Sequence, residues 1–134
     1  MNDSADLITL RPVAIVRSSL LSRSDAPKQG NEGAPDAWLE VADWAMDAVH
    51  GLKVGDEIIV ITWFDRARRE VLQVHPRSNP NNPLTGVFAT RSPDRPNPLG
   101  LHPVHIRAIE RHRLRVGPLE AIEGTPVVDI KPVL

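Results

Sequence analysis

Residues 86–101, GVFATRSPDRPNPLGL, place three prolines, two arginines and an asparagine within the eight positions 91–98. Pro93, Pro96 and Pro98 each fix φ near −65° and push Ser92, Arg95 and Asn97 away from helical angles. The segment is therefore an extended loop with little conformational entropy left to lose on binding a ligand. The prolines also contribute carbonyls without N–H groups, which suits recognition of amino and hydroxyl groups such as an adenine amine or a ribose. Arg91 and Arg95 are four residues apart, about 13 Å in an extended chain, too far to grip one phosphate together. One fork is suited to a ligand carboxylate and the other to a second group such as an RNA phosphate. The plain alternative is a proline-stiffened surface turn whose arginines are merely solvated.

Other chemistry-bearing residues are more ambiguous. Asp65 follows the apolar run DEIIVITWF, at the end of a buried strand where ligand pockets often open. His102 and His105 form HPVH, but positions three apart on a strand face opposite ways, so no shared metal ion is expected. Trp38, Trp44 and Trp63 offer rings for base stacking, yet beside Leu, Val and Ile they read first as core or interface residues. Arg66, Arg68, Arg69, Arg77, Arg91 and Arg95 make the central third locally basic although the formal net charge is −1. RNA contact would have to use that patch, since the whole chain creates no attracting field; a charged turn beside a buried strand is the simple alternative.

The elements that must position these residues are short strands. With 134 residues the chain is the size of one domain, and 13 prolines with 4% aromatics imply many fixed turns around a Val, Ile and Leu core. Strands are expected over 8–16, at an edge because of Pro12, and over 38–41, 56–64, 69–75, 84–90, 101–109, 113–116 and 127–130. The run 56–64 is apolar enough to be covered on both faces. One short helix is expected over 44–50, with Asp43 as N-cap and Gly51 as terminator. Residues 22–35 lack either hydrophobic period and form a long loop, of a length that is usually functional or disordered. The fold class is mainly β: a single small β-barrel with one short helix and long functional loops. No Gly-rich turn between strand and helix announces a doubly wound nucleotide site. The absence of cysteine excludes disulfides and thiolate chemistry, no apolar run is long enough to span a bilayer, and the polar, acidic start is unlike a signal peptide. A cytoplasmic location follows as the expectation.

RSPDRPNPLGL preceded by GVFAT resembles the signature of the TsaA-like family, whose characterised bacterial members are tRNA N6-threonylcarbamoyladenosine methyltransferases. The resemblance extends to PVAIVRS, APKQG, ITWF with Asp65 after it, and EGTPVVDIKP, covering residues 11–132 of a single domain spanning 1–134. It implies a β-barrel that binds S-adenosylmethionine, works as a homodimer and methylates N6 of the modified adenosine near the tRNA anticodon, with no metal. Carried over by residue, the cofactor contacts fall on Pro27, Lys28, Gln29, Asp65, Arg66, Arg91, Leu101, Glu123, Gly124, Thr125 and Pro126. The chain departs from the family pattern at Lys28 (often Arg), Asp65 (often His), Asp94 (often aromatic) and Glu123 (often Asp). It also ends at Leu134, where longer bacterial members continue into a C-terminal domain that helps hold tRNA.

Methylation of a conjugated nitrogen requires a proton acceptor near the point of attack. Asp129 is the leading candidate, with Lys131 two residues on, on the same strand face, to keep it ionised; an ordinary Asp–Lys strand pair is the alternative. Asp65 is the second candidate, and equally suits the cofactor's ammonium or ribose. Arg95, Asn97 and Lys131 are the expected substrate contacts. The competing readings are a non-catalytic S-adenosylmethionine sensor and a plain RNA-binding barrel.

Overall fold

Eight strands account for most of the regular structure in the computed structural model, which describes residues 7–134. They are β1 (Ala14–Arg17), β2 (Ala37–Val41), β3 (Glu57–Trp63), β4 (Gln73–Val74), β5 (Thr85–Gly86), β6 (Leu99–Glu110), β7 (Arg113–Gly117) and β8 (Pro126–Pro132). Six of them close a barrel in the order β1-β2-β7-β6-β3-β8, while β4 and β5 form a separate two-stranded sheet. All pairings are antiparallel. The polar stretch 1–6, expected not to be a signal peptide, lies outside the described residues. Among the described residues no helix is long and apolar enough to cross a membrane.

The two-residue period decides what enters the barrel. On β6, Gly100, His102, Val104 and Ile106 point inward and alternate with exposed neighbours; on β3, Ile58, Val60 and Thr62 point inward between partly covered ones. Val16, Leu39, Leu114, Val116 and Val127 complete an aliphatic interior with essentially no exposure. Small branched side chains suit a barrel of this strand number, whose inside is just wide enough to be filled. Pro103 falls in the half of β6 that pairs with β3 alone, since pairing with β7 starts at His105.

Several local expectations are corrected. β1 is no edge: Pro12 precedes the strand, and β1 bonds to β2 on one side and β8 on the other. The short helix is present as 3₁₀ turns over Asp43–Val49, and Ala42, with no side-chain cap, takes the position expected for Asp43. Met46, Val49 and Leu52 pack it against the core. The outer face of β3 is only half covered, at Ile59, Ile61 and Trp63. The strands expected over 69–75 and 84–90 shrink to two residues each. Arg69 is turned toward the proline loop, while the Val87 carbonyl is drawn into a 3₁₀ turn by the Thr90 N–H and hydroxyl. None of the three tryptophans enters the core. Each lies under a guanidinium: Trp38 under Arg113 at 4.2 Å, Trp44 under Arg11 at 3.6 Å, Trp63 near Arg69 at 5.1 Å.

Candidate functional site

The chain between β3 and β6 and the long loop before β2 converge on a cleft of about 1120 Å³ at the end of the barrel where β3 finishes. Its walls are residues 26–29 of the first loop, 64–67 after β3, 74–78, the proline loop with Leu99–His102 of β6, and Glu120–Ile122 with Thr125.

Hydrogen bonds fix these loops to one another. Lys28 Nζ donates to Ser78 Oγ at 3.1 Å, and Arg77 pairs with Glu32 at 2.6 Å, so the first loop is tied to the 76–78 turn. Arg77 and Ser78 both carry φ of 57°, a left-handed backbone that costs a non-glycine residue roughly 1–3 kcal/mol each and tends to occur at functional sites. The Glu32 carboxyl is held below its ordinary pKa, first by its hydrogen bond from Arg77. The Asp94 carboxylate accepts from the Arg68 N–H at 2.9 Å and lies 3.1 Å from Arg23. Partial burial works against its ionisation, but the Arg68 N–H and Arg23 outweigh that and lower its pKa.

The proline loop is also held from within. Arg95 donates to the carbonyls of Val87, Thr90 and Ser92 at 3.0–3.1 Å. Arg69 donates to the Pro96 carbonyl and to Asn97 Oδ1, the Phe64 N–H to the Pro98 carbonyl, and the Leu99 N–H to the Asn97 carbonyl. Arg95 and Asn97, expected as substrate contacts, thus border the cleft as braces of the loop, and most of the carbonyls expected to face a ligand are already occupied. Of the six arginines in the basic patch, Arg68, Arg69, Arg77 and Arg95 are engaged in the protein. Among the described residues, the side chains of Asp65, Arg66 and Arg91 make no hydrogen bond or ion pair, and all three line the cleft.

The structure brings together Pro27, Lys28, Gln29, Asp65, Arg66, Arg91, Leu101 and Thr125 on this one cleft. Glu123, Gly124 and Pro126 are not part of its lining. Glu123 instead accepts from the Ser18 N–H at 3.0 Å and approaches Arg17, the Gly124 N–H bonds the Val16 carbonyl, and Pro126 pairs with Ile15 in β8. Asp129 and Lys131 share one face of β8 as expected, 3.7 Å apart, but both are largely exposed and neither borders the cleft. Within this one chain, Asp129 and Lys131, expected as proton acceptor and substrate contact, are thus not brought to the cleft.

One group was missed by the sequence reading. At the inner wall His102, 1% exposed, lies between Thr62 and Glu120: Nε2 is 2.6 Å from Thr62 Oγ1 and Nδ1 is 2.5 Å from Glu120 Oε1. Phe64 meets the imidazole edge-on, with ring centroids 5.7 Å apart. The signal was available in the alternation of β6, which turns Gly100, His102 and Val104 to one face; considering His102 only beside His105 as a metal pair concealed it.

Residues 15–134 match the family described as tRNA-methyltransferase O N-terminal domain. The chain is 41% identical over 122 residues to the S-adenosyl-L-methionine-binding protein of Archaeoglobus fulgidus, covering 91% of this chain and 86% of that one. It is 43% identical to a probable S-adenosyl-L-methionine-binding protein of Methanothermobacter thermautotrophicus, covering 93% and 89%. The crystal structure of TrmO from Pseudomonas aeruginosa superposes with a TM-score of 0.73 at 27% identity, covering 96% of this chain and 56% of that one. The chain thus spans a little over half the length of that solved protein. With the same barrel, and with this family profile running over all six barrel strands from within β1 onward, the chain belongs to the tRNA-methyltransferase O N-terminal domain family.

Proposed function

We propose that this chain is an S-adenosylmethionine-dependent methyltransferase of the cytoplasm, acting on N6 of threonylcarbamoyl-modified adenosine in tRNA near the anticodon. The observation that carries the reading is the convergence of the 26–29 loop, the Asp65–Arg66 turn and the Arg91 end of the proline loop on one cleft. The donor set fits the cofactor: a carboxylate at Asp65 suits an ammonium, and the forks of Arg66 and Arg91, unengaged among the described residues, suit a carboxylate. When bound, the cofactor supplies a methyl group on a sulfonium, open to in-line displacement. The chain's own part is to hold donor and acceptor in line and keep water out, a contribution worth up to roughly 7–11 kcal/mol. Arg95 and Arg69 serve that purpose by keeping the loop in one shape before any ligand arrives.

Exposed Leu72, Leu84 and Phe88, which flank the β4–β5 sheet, support a homodimer, because apolar side chains grouped in this way are a usual mark of an interface. The guanidiniums of Arg66 and Arg91 support an approach of tRNA phosphate to the same rim. A second reading, a sensor that binds the cofactor without transfer, draws on the relatives of similar length, whose names record binding only. Incubation with labelled S-adenosylmethionine and tRNA carrying the threonylcarbamoyl group separates the two. Label in the modified adenosine supports the transferase, whereas saturable cofactor binding without label supports the sensor.

A further inference from the structure

We propose that Glu120 accepts the proton that the acceptor nitrogen sheds on methylation, with His102 and Thr62 as the positioning residues that hold its carboxylate; this rests on the methyl-transfer reading above. An ionised carboxylate can only accept hydrogen bonds, so the 2.5 Å contact to Glu120 Oε1 places a proton on His102 Nδ1. With Nδ1 turned to Glu120, His102 Nε2 is placed to accept from the Thr62 hydroxyl at 2.6 Å, so both ring nitrogens have a partner. With the ring 1% exposed and Phe64 against it, His102 has one orientation to offer.

The other oxygen, Oε2, has no hydrogen-bond partner among the described residues, and the Glu120 side chain keeps 13% exposure toward the cleft. It faces the cofactor loop closely: a Cβ built on Gly30 would lie 2.9 Å from Oε2 and 3.0 Å from the Pro118 carbonyl. Glycine at position 30 lets the loop that bears Pro27, Lys28 and Gln29 run directly past this oxygen. The arrangement is that of an oriented general base, a carboxylate held through Oε1 by a buried donor, with Oε2 unpartnered among the described residues and the side chain bordering the cleft. Asp65 borders the same cleft but is exposed and, among the described residues, has no partner to fix it, and Asp129 lies outside it.

In the step assigned, the lone pair of the acceptor nitrogen forms the new N–C bond as the S–C bond breaks and its electron pair stays on sulfur. The electron pair of the N–H bond returns to nitrogen, and the proton passes to Oε2 of Glu120. The positive charge of the donor thus leaves as that proton, and no further reactant is needed.

The test is single-turnover transfer from S-adenosylmethionine to threonylcarbamoyl-modified tRNA by the unmodified chain and by Glu120→Gln, alongside calorimetric cofactor binding. Loss of a general base predicts a rate at least about 100-fold lower in Glu120→Gln, with the cofactor dissociation constant within about threefold. The imidazole ¹⁵N spectrum of the cofactor-free protein is expected to show His102 protonated at Nδ1 alone, a pattern that changes in Glu120→Gln. If Glu120→Gln does not fold, Glu120→Asp, which withdraws the carboxylate by one methylene, is expected to fall about tenfold in rate with cofactor affinity kept. Transfer by Glu120→Gln within about threefold of the unmodified rate, full-rate transfer by Glu120→Asp, or His102 protonated at Nε2 alone overturns the assignment and leaves the methyltransferase reading standing. Failure of the unmodified chain to transfer overturns both.

Discussion

The guanidinium of Arg95 donates to the carbonyl of Val87, eight residues back, at 3.0 Å, and so closes the proline loop on itself. Two further bonds, to the carbonyls of Thr90 and Ser92, come from the other terminal nitrogen, Nη1. Arg95→Ala is expected to destabilise the chain by ~1.5–3 kcal/mol, the range for charge-assisted hydrogen bonds, read from the urea unfolding midpoint. Arg95→Lys should recover less than half of that loss, because a point charge cannot serve three carbonyls in a fork. An unchanged midpoint in Arg95→Ala would show that the loop needs no internal brace.

Gly100 is required by space. A Cβ there would lie 2.5 Å from the Phe64 ring and 2.6 Å from Thr62 Oγ1, inside the barrel at the floor of the cleft. Gly100→Ala must displace Phe64 from its contact with His102, with an expected cost of ~1–3 kcal/mol as in other overpacked interiors. Thermal unfolding checks it; equal stability would mean that the ring yields freely.

Asp94 predicts a pH dependence. Its folded-state pKa is lowered, against partial burial, by the Arg68 N–H and Arg23. A depressed carboxylate contributes stability that is fully present above its unfolded-state pKa and is lost as pH falls through the folded value. The stability gap between the unmodified chain and Asp94→Asn should therefore be widest near neutrality and close on acidification below about pH 4. A gap that is constant with pH, measured by denaturant titration, would contradict this.

Strand positions were legible where the two-residue period was strong, as on β3 and β6, because that period alone turns Val60 or Val104 inward. It could not tell an edge from a closed barrel, since closure depends on β8 reaching β1 from over 100 residues away. The cleft residues near the prolines were legible because proline stiffens a segment locally, whatever surrounds it. The tasks of Arg95 and Arg91 were not, because both are arginines on one loop and only the tertiary position of the Val87 carbonyl decides which is consumed. Asp129 looked apt because it shares a face with Lys131, but sequence spacing cannot say which face of β8 meets the cleft. Glu120 carried no local signal at all, as it lies in the connection between β7 and β8 and its partner His102 is 18 residues away on β6.

The central claim is that the cleft between the 26–29 loop and the proline loop binds S-adenosylmethionine, with Arg91 as a charged contact. Isothermal calorimetry of the unmodified chain, Arg91→Ala and Lys131→Ala with S-adenosylmethionine tests it most directly. The account predicts saturable binding, weakened by at least ~1.5 kcal/mol, somewhat over tenfold, in Arg91→Ala and unchanged in Lys131→Ala. Absence of saturable heat from the unmodified chain, or equal affinity in Arg91→Ala, would contradict it.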